Sequence, residues 1–118
     1  MLPNGSTYDD IRDAFEWRIP ERYNIGRDIA DRQKPDALAL IYRTEEGTID
    51  RYSFGDITKA SGRFANVLEA SGIKRGDRVA ILLPQRPETA FAHTAIYKAG
   101  MIAVPLFALF AEEALVYR

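Results

Sequence analysis

Cysteine is missing altogether from this 118-residue sequence, which excludes disulfides, cysteine-ligated zinc and a thiol nucleophile. A single histidine, His93, is too little for most general-base constellations, and Ser6, Ser53, Ser61 and Ser71 all lie outside a G-x-S-x-G elbow. No serine hydrolase is expected. Neither G-x-G-x-x-G nor G-x-x-x-x-G-K-[ST] occurs, so the two common glycine-rich phosphate cradles are lacking as well. Charge of one sign is not in excess: 16 Lys and Arg stand against 17 Asp and Glu, for a net −1. With those charges scattered along the chain, no nucleic-acid partner is expected. The longest apolar run, Met101 to Ala111, is too short to cross a bilayer, and Met1 to Ser6 has no basic-then-apolar pattern. No transmembrane segment is therefore expected, and the cytoplasm is the expected compartment. The carboxylate pairs Glu45–Glu46 and Glu112–Glu113 are adjacent residues whose side chains diverge, and neither is assigned a reacting centre. No catalytic and no metal-binding residue is assigned.

What remains is the make-up of a globular protein, 47% apolar and 28% charged. Ser6 or Thr7 caps a first helix with Asp9 and Asp10 in its opening turn, and Ile11, Ala14, Phe15 and Ile19 at helical spacing carry it to Pro20. Asn24 caps a second short helix through Ile25 and Ile29 to Arg32, closed by Pro35. Ala37 to Tyr42 and Thr48 to Tyr52, joined through Thr44-Glu45-Glu46-Gly47, read as a β-hairpin. Ser53 and Asp56 then form a capping box for a long helix. Ile57, Ala60, Phe64, Val67 and Leu68 make its apolar face, Gly72 ends it, and Gly62 marks close helix packing. Arg75-Gly76-Asp77 supplies a turn into Arg78 to Leu83, an apolar run of the kind found where both strand faces are covered. A helix from Pro87, closed by Gly100, and a strand from Ile102 to Phe107 complete a βαβ unit with parallel strands. The class is α/β. His93 falls mid-helix and receives no role. Ala111 to Arg118 begins an amphipathic helix with neither cap nor stop.

The order of these segments resembles the amino-terminal region of the adenylate-forming acyl-CoA synthetases. Three stretches carry the likeness: Tyr23 to Asp28, Tyr52-Ser53-Phe54-Gly55-Asp56, and above all Gly72 to Pro84 with Arg86-Pro87-Glu88 and Tyr97 to Pro105. The resemblance implies a ligase that joins a carboxylic acid to ATP, giving an acyl-adenylate, and then lets the CoA thiol displace AMP. It implies ATP, CoA and Mg2+ as cofactors, and a carboxylic acid and CoA as partners, of a longer parent. Its Ser/Thr/Gly-rich phosphate loop, nucleotide and magnesium motif, ribose-binding Asp and catalytic Lys do not occur in this sequence, so these residues alone are expected to be inactive and to bind no cofactor. Acetate-type members are similar at Pro105 to Phe110, where their Phe-Gly-Gly-Phe stretch lies near the CoA nucleotide. Phe107, Ala108 and Leu109 are the implied CoA-proximal residues. Ala108 and Leu109 replace the two glycines, and packing at the end of a strand is the competing reading.

The expectation is thus one incomplete domain over residues 1–118, with a helical brace over 1–35 and the hairpin, helix and βαβ unit over 37–118. The alternative is a freestanding, non-catalytic interaction module on the same scaffold. The carboxy-terminal third is expected to self-associate. Which acid is activated is not legible.

Overall fold

The computed structural model describes residues 4–118. Helix α1 (Tyr8–Ala14) opens on Thr7, whose hydroxyl accepts the Asp10 amide while the Asp10 carboxylate accepts the Thr7 amide. The helix ends at Ala14, short of the expected Pro20: Phe15 takes an extended backbone and sets its ring edge-on to Trp17 at 5.1 Å. Nothing on α1 is buried, and Ile19 remains 79% exposed, so the apolar spacing has no surface to pack against. The second short segment is a π-helical turn, Arg27–Asp31, in which the Arg32 amide reaches the Arg27 carbonyl at 3.0 Å. Asn24 caps it, accepting the Arg27 amide at 3.0 Å.

Strands β1 (Leu38–Arg43) and β2 (Ile49–Ser53) pair antiparallel around Gly47, whose φ of +90° is the left-handed conformation glycine tolerates. Helix α2 (Phe54–Ala70) follows with the capping box in place: Ser53 Oγ accepts the Asp56 amide at 3.1 Å, and Asp56 Oδ2 accepts the Ser53 amide at 2.9 Å. Those bonds hold the Asp56 carboxyl below its ordinary pKa, the Ser53 backbone amide being the larger cause. A carboxyl lowered on folding stabilises the fold above its unfolded pKa and releases that stability as pH falls through its folded value. Ser53→Ala is expected to cost about 1 kcal/mol in reversible denaturant unfolding and to flatten the acid limb of the stability curve. An unchanged midpoint would move the start of α2 elsewhere.

The buried face of α2 is Ile57, Ser61, Ala65 and Leu68, a stripe rotated away from Val67, which is 56% exposed. Val67 therefore leaves the expected core, and Ser61 enters it by donating to the Ile57 carbonyl at 2.6 Å. Gly62 does not mark close packing: a Cβ built there meets nothing within 4 Å. Gly62→Ala should raise stability by up to about 1 kcal/mol, since helix propensity improves without a clash. A loss of melting temperature would show that the open side of α2 is occupied.

Both long helices end alike. Gly72 and Gly100 have positive φ, and the residue after each, Ile73 or Met101, donates back to Leu68 or Ile96 in a Schellman closure. Strands β3 (Arg78–Leu82) and β4 (Ile102–Leu106) flank helix α3 (Pro87–Lys98) and pair parallel, Ile81 opposite Pro105. Leu68, Ile81, Ala92, Ile96 and Met101 form the core between the helices and one face of this pair. The other face is open, contrary to the expectation for so apolar a run: Ala80, Leu82 and Ile102 are exposed there. Helix α4 (Glu112–Tyr117) buries nothing.

Candidate functional site

In open α/β sheets, ligands bind in the crevice outside the carboxyl ends of the strands. Here Leu82 and Leu106 lie side by side in the parallel register, so the loops that leave β3 and β4 emerge at the same end. The first is Leu83 to Arg86, and the second is Phe107 to Ala111. Between β1 and the start of α3 lies a cavity of about 410 Å³, lined by Leu40, Tyr42, Arg86, Pro87 and His93 among others.

Short hydrogen bonds set this corner. Pro84 ends β3, and its carbonyl accepts the Thr89 hydroxyl at 2.8 Å, turning the chain into α3 with Pro87 in the opening turn. Glu88 holds the Arg86 guanidinium at 3.2 and 3.4 Å, so that cation is neutralised within its own turn. His93 Nδ1 contacts the Thr89 carbonyl at 2.9 Å, a contact in which the ring nitrogen donates. Tyr52 meets Phe91 edge-on at 5.6 Å, and its phenol is raised above the ordinary tyrosine range by burial first and then by the Asp50 and Glu88 carboxylates. The cavity thus offers apolar walls and a tied-up arginine, with neither an activated nucleophile nor a free cation for a departing phosphate.

Phe107, Ala108 and Leu109 form the turn that leaves β4 and line neither this cavity nor the larger cleft at the other end of the sheet. Phe107 is 62% and Leu109 81% exposed. Phe107 leans on Phe110 at 5.8 Å, and Arg118 lies 4.3 Å from the centre of the Phe110 ring. Among the described residues, no three His, Asp or Glu side chains gather to hold a metal ion. No described helix is long and apolar enough to cross a membrane.

Sequence reasoning missed a different set of residues, those that join the brace to the βαβ unit. Lys98 is 11% exposed and is paired with Asp31, and its ammonium also donates to the Thr58 carbonyl at 3.3 Å. The Asn24 amide donates to the Lys98 carbonyl at 2.9 Å. A Cβ on Gly26 would lie 2.5 Å from the Lys98 nitrogen and 2.8 Å from the Thr94 carbonyl oxygen. Periodicity carries no sign of such a contact, although Asn24 was already legible as a cap.

The family profile described as AMP-binding enzyme matches residues 28–118. The chain belongs to the AMP-binding enzyme family. Its relatives include the mitochondrial acyl-coenzyme A synthetase ACSM3 of Homo sapiens, 32% identical over 98% of this chain and 21% of that protein. The acetyl-coenzyme A synthetase of Syntrophobacter fumaroxidans is 34% identical over 99% of this chain and 18% of its own length. Among solved structures, the acyl-CoA synthetase of Brucella canis superposes with a TM-score of 0.83 at 29% identity, covering 92% of this chain and 22% of that one. The ATP-bound MatB of Rhodopseudomonas palustris superposes at 0.69 with 32% identity, over 80% of this chain and 18% of its own. This chain therefore spans about a fifth of the length of the relatives it matches.

Proposed function

We propose that these residues form the amino-terminal part of the large domain of an AMP-forming carboxylic acid:CoA ligase. The observation that carries the reading is similarity across nearly the whole chain to acyl- and acetyl-CoA synthetases, in sequence and in fold. In the parent, a carboxylate oxygen attacks the α-phosphorus of ATP, the bond to the bridging oxygen breaks, and pyrophosphate leaves. The CoA thiol, losing its proton, then attacks the acyl carbon of the adenylate, and AMP departs with the electrons of the broken C–O bond. Departure of pyrophosphate needs preorganised cations and amide donors. Arg86, held by Glu88, does not supply them, and the residues present do not fit a magnesium site.

The contribution of this segment is scaffolding. The β3–β4 pair with α2 and α3 forms one layer of the domain, and its carboxyl end faces the crevice. The turn at Phe107, Ala108 and Leu109 leaves that end, where the likeness to acetate-type members puts the CoA nucleotide. The acid belongs to the acyl or acetyl class for which the relatives are named.

Acid-dependent ATP–pyrophosphate exchange tests the reading. The purified 118-residue chain is expected to remain at background, whereas the protein carrying its downstream coding sequence exchanges only when acid is present. Exchange by the short chain would place the chemistry here. A downstream sequence without a Ser/Thr/Gly-rich loop would remove the ligase assignment.

A further inference from the structure

At the amino-terminal end of the sheet, opposite the crevice, a cleft of about 980 Å³ opens between the brace and the carboxyl end of α3. Arg22, Arg27 and Arg75 line it, together with Tyr23 and Tyr97. Two nearby carboxylates that would ordinarily neutralise such a cluster are already engaged. Asp31 pairs with Lys98, and Asp28 accepts from Arg32 at 3.0 Å and from the Tyr23 hydroxyl at 2.9 Å. Among the described residues, the side chains of Arg22, Arg27 and Arg75 form no ion pair and no hydrogen bond. Glu21 is the one carboxylate in the lining.

Arginines beside a helix carboxyl terminus commonly satisfy its last carbonyls. Here that role is filled. The Ile96 carbonyl accepts from Met101, that of Tyr97 from Gly100, that of Lys98 from the Asn24 side chain, and that of Gly100 from Gly76. Three arginines thus line one concavity without an ion-pair or hydrogen-bond partner among the described residues. Arginine forks match phosphate oxygens two at a time, and the two tyrosine rings add faces on which a base can stack.

We propose that this cleft binds a di- or triphosphate group through Arg22, Arg27 and Arg75, at a site distinct from the crevice at the carboxyl end of the strands. The assignment does not depend on the ligase reading, because its residues lie on the brace and on the turn before β3.

Calorimetric titration of the dilute chain with inorganic pyrophosphate, and separately with ADP, tests it. Saturable binding is expected, and Arg22→Gln and Arg27→Gln should each weaken it about tenfold, as loss of a charge-assisted hydrogen bond would. Both positions are exposed, and circular dichroism establishes that the variants fold. Arg63→Gln, on the solvent face of α2, should leave affinity unchanged. Tighter binding of ADP than of pyrophosphate identifies a nucleotide as the source, and equal affinity identifies an inorganic polyphosphate. Absence of saturation at millimolar pyrophosphate overturns the proposal, as does saturation indifferent to Arg22 and Arg27.

Discussion

Leucine in place of Gly26 is expected to abolish the cooperative melt of this chain. The backbone at Gly26 is ordinary right-handed helix, φ −64° and ψ −35°, so any residue adopts it without strain. The constraint is one of approach. A Cβ would sit 2.5 Å from a backbone nitrogen and 2.8 Å from a carbonyl oxygen of α3, atoms that move only if the helix moves. Overpacking of this kind costs about 1–3 kcal/mol where side chains give way, and more where backbone must. Displacing the brace also breaks the Asn24 contact and strips Asp31 from the buried Lys98 ammonium. A small domain with about 5 kcal/mol in total does not survive that combination. Leucine at Gly62, where space is open, serves as the control and should melt normally. A Gly26 variant melting within a few degrees of the parent would show that the brace is not docked on α3 as described.

The second large effect is self-association of the isolated chain. Its accessible surface is 9514 Å², about half as much again as the roughly 6,500 Å² of a folded monomer of this mass. Its radius of gyration is 17.6 Å, where about 13–14 Å is usual for a compact chain of this length. Large apolar side chains are exposed on it: Leu82 is 45%, Ile102 49%, Phe107 62% and Leu109 81% exposed. Each such side chain stabilises by about 1.5–3 kcal/mol when fully buried. A sheet of two strands also leaves an unpaired edge on each. Sedimentation across a concentration series should show species larger than a monomer, with apolar dyes bound. Appending downstream residues should suppress both signals. A monodisperse monomer at high concentration, free of dye, would mean that this surface is stable in water and needs no covering.

Local chemistry was the legible part of the sequence. The Ser53–Asp56 box, the two glycine closures and Pro87 at the start of α3 rest on residues a few positions apart, where propensity and hydrogen bonding decide the outcome, and the parallel βαβ unit follows from the order of strand, helix and strand. Errors arose where the deciding partner is distant or missing. Ile19 had the spacing for a helix but no surface to pack on, and Val67 lost its place to Ser61 because the stripe that meets α3 runs through small residues. The crevice was legible only as the end of two strands. Phe107 to Leu109 entered through resemblance, and nothing in their periodicity separates a solvated turn from a packed one. The arginine cleft was illegible because Arg22 and Arg75, far apart in the chain, meet only once the brace has docked.

That docking spans 74 positions between Asn24 and Lys98, and it orders events in time. The hairpin, α2 and the βαβ unit close through contacts nearer in sequence, which form first because short loops lose less entropy on closure. Residues 24–32 leave the ribosome before α3, yet they have nothing to bind until Lys98 follows and α3 has formed. The brace, made before α3, is thus among the last elements to settle, and in the interval its arginines and Ile25 remain open to chaperones and proteases. Slow synthesis between the brace and α3 lengthens that interval, and any folding delay in α3 is felt first at Asn24.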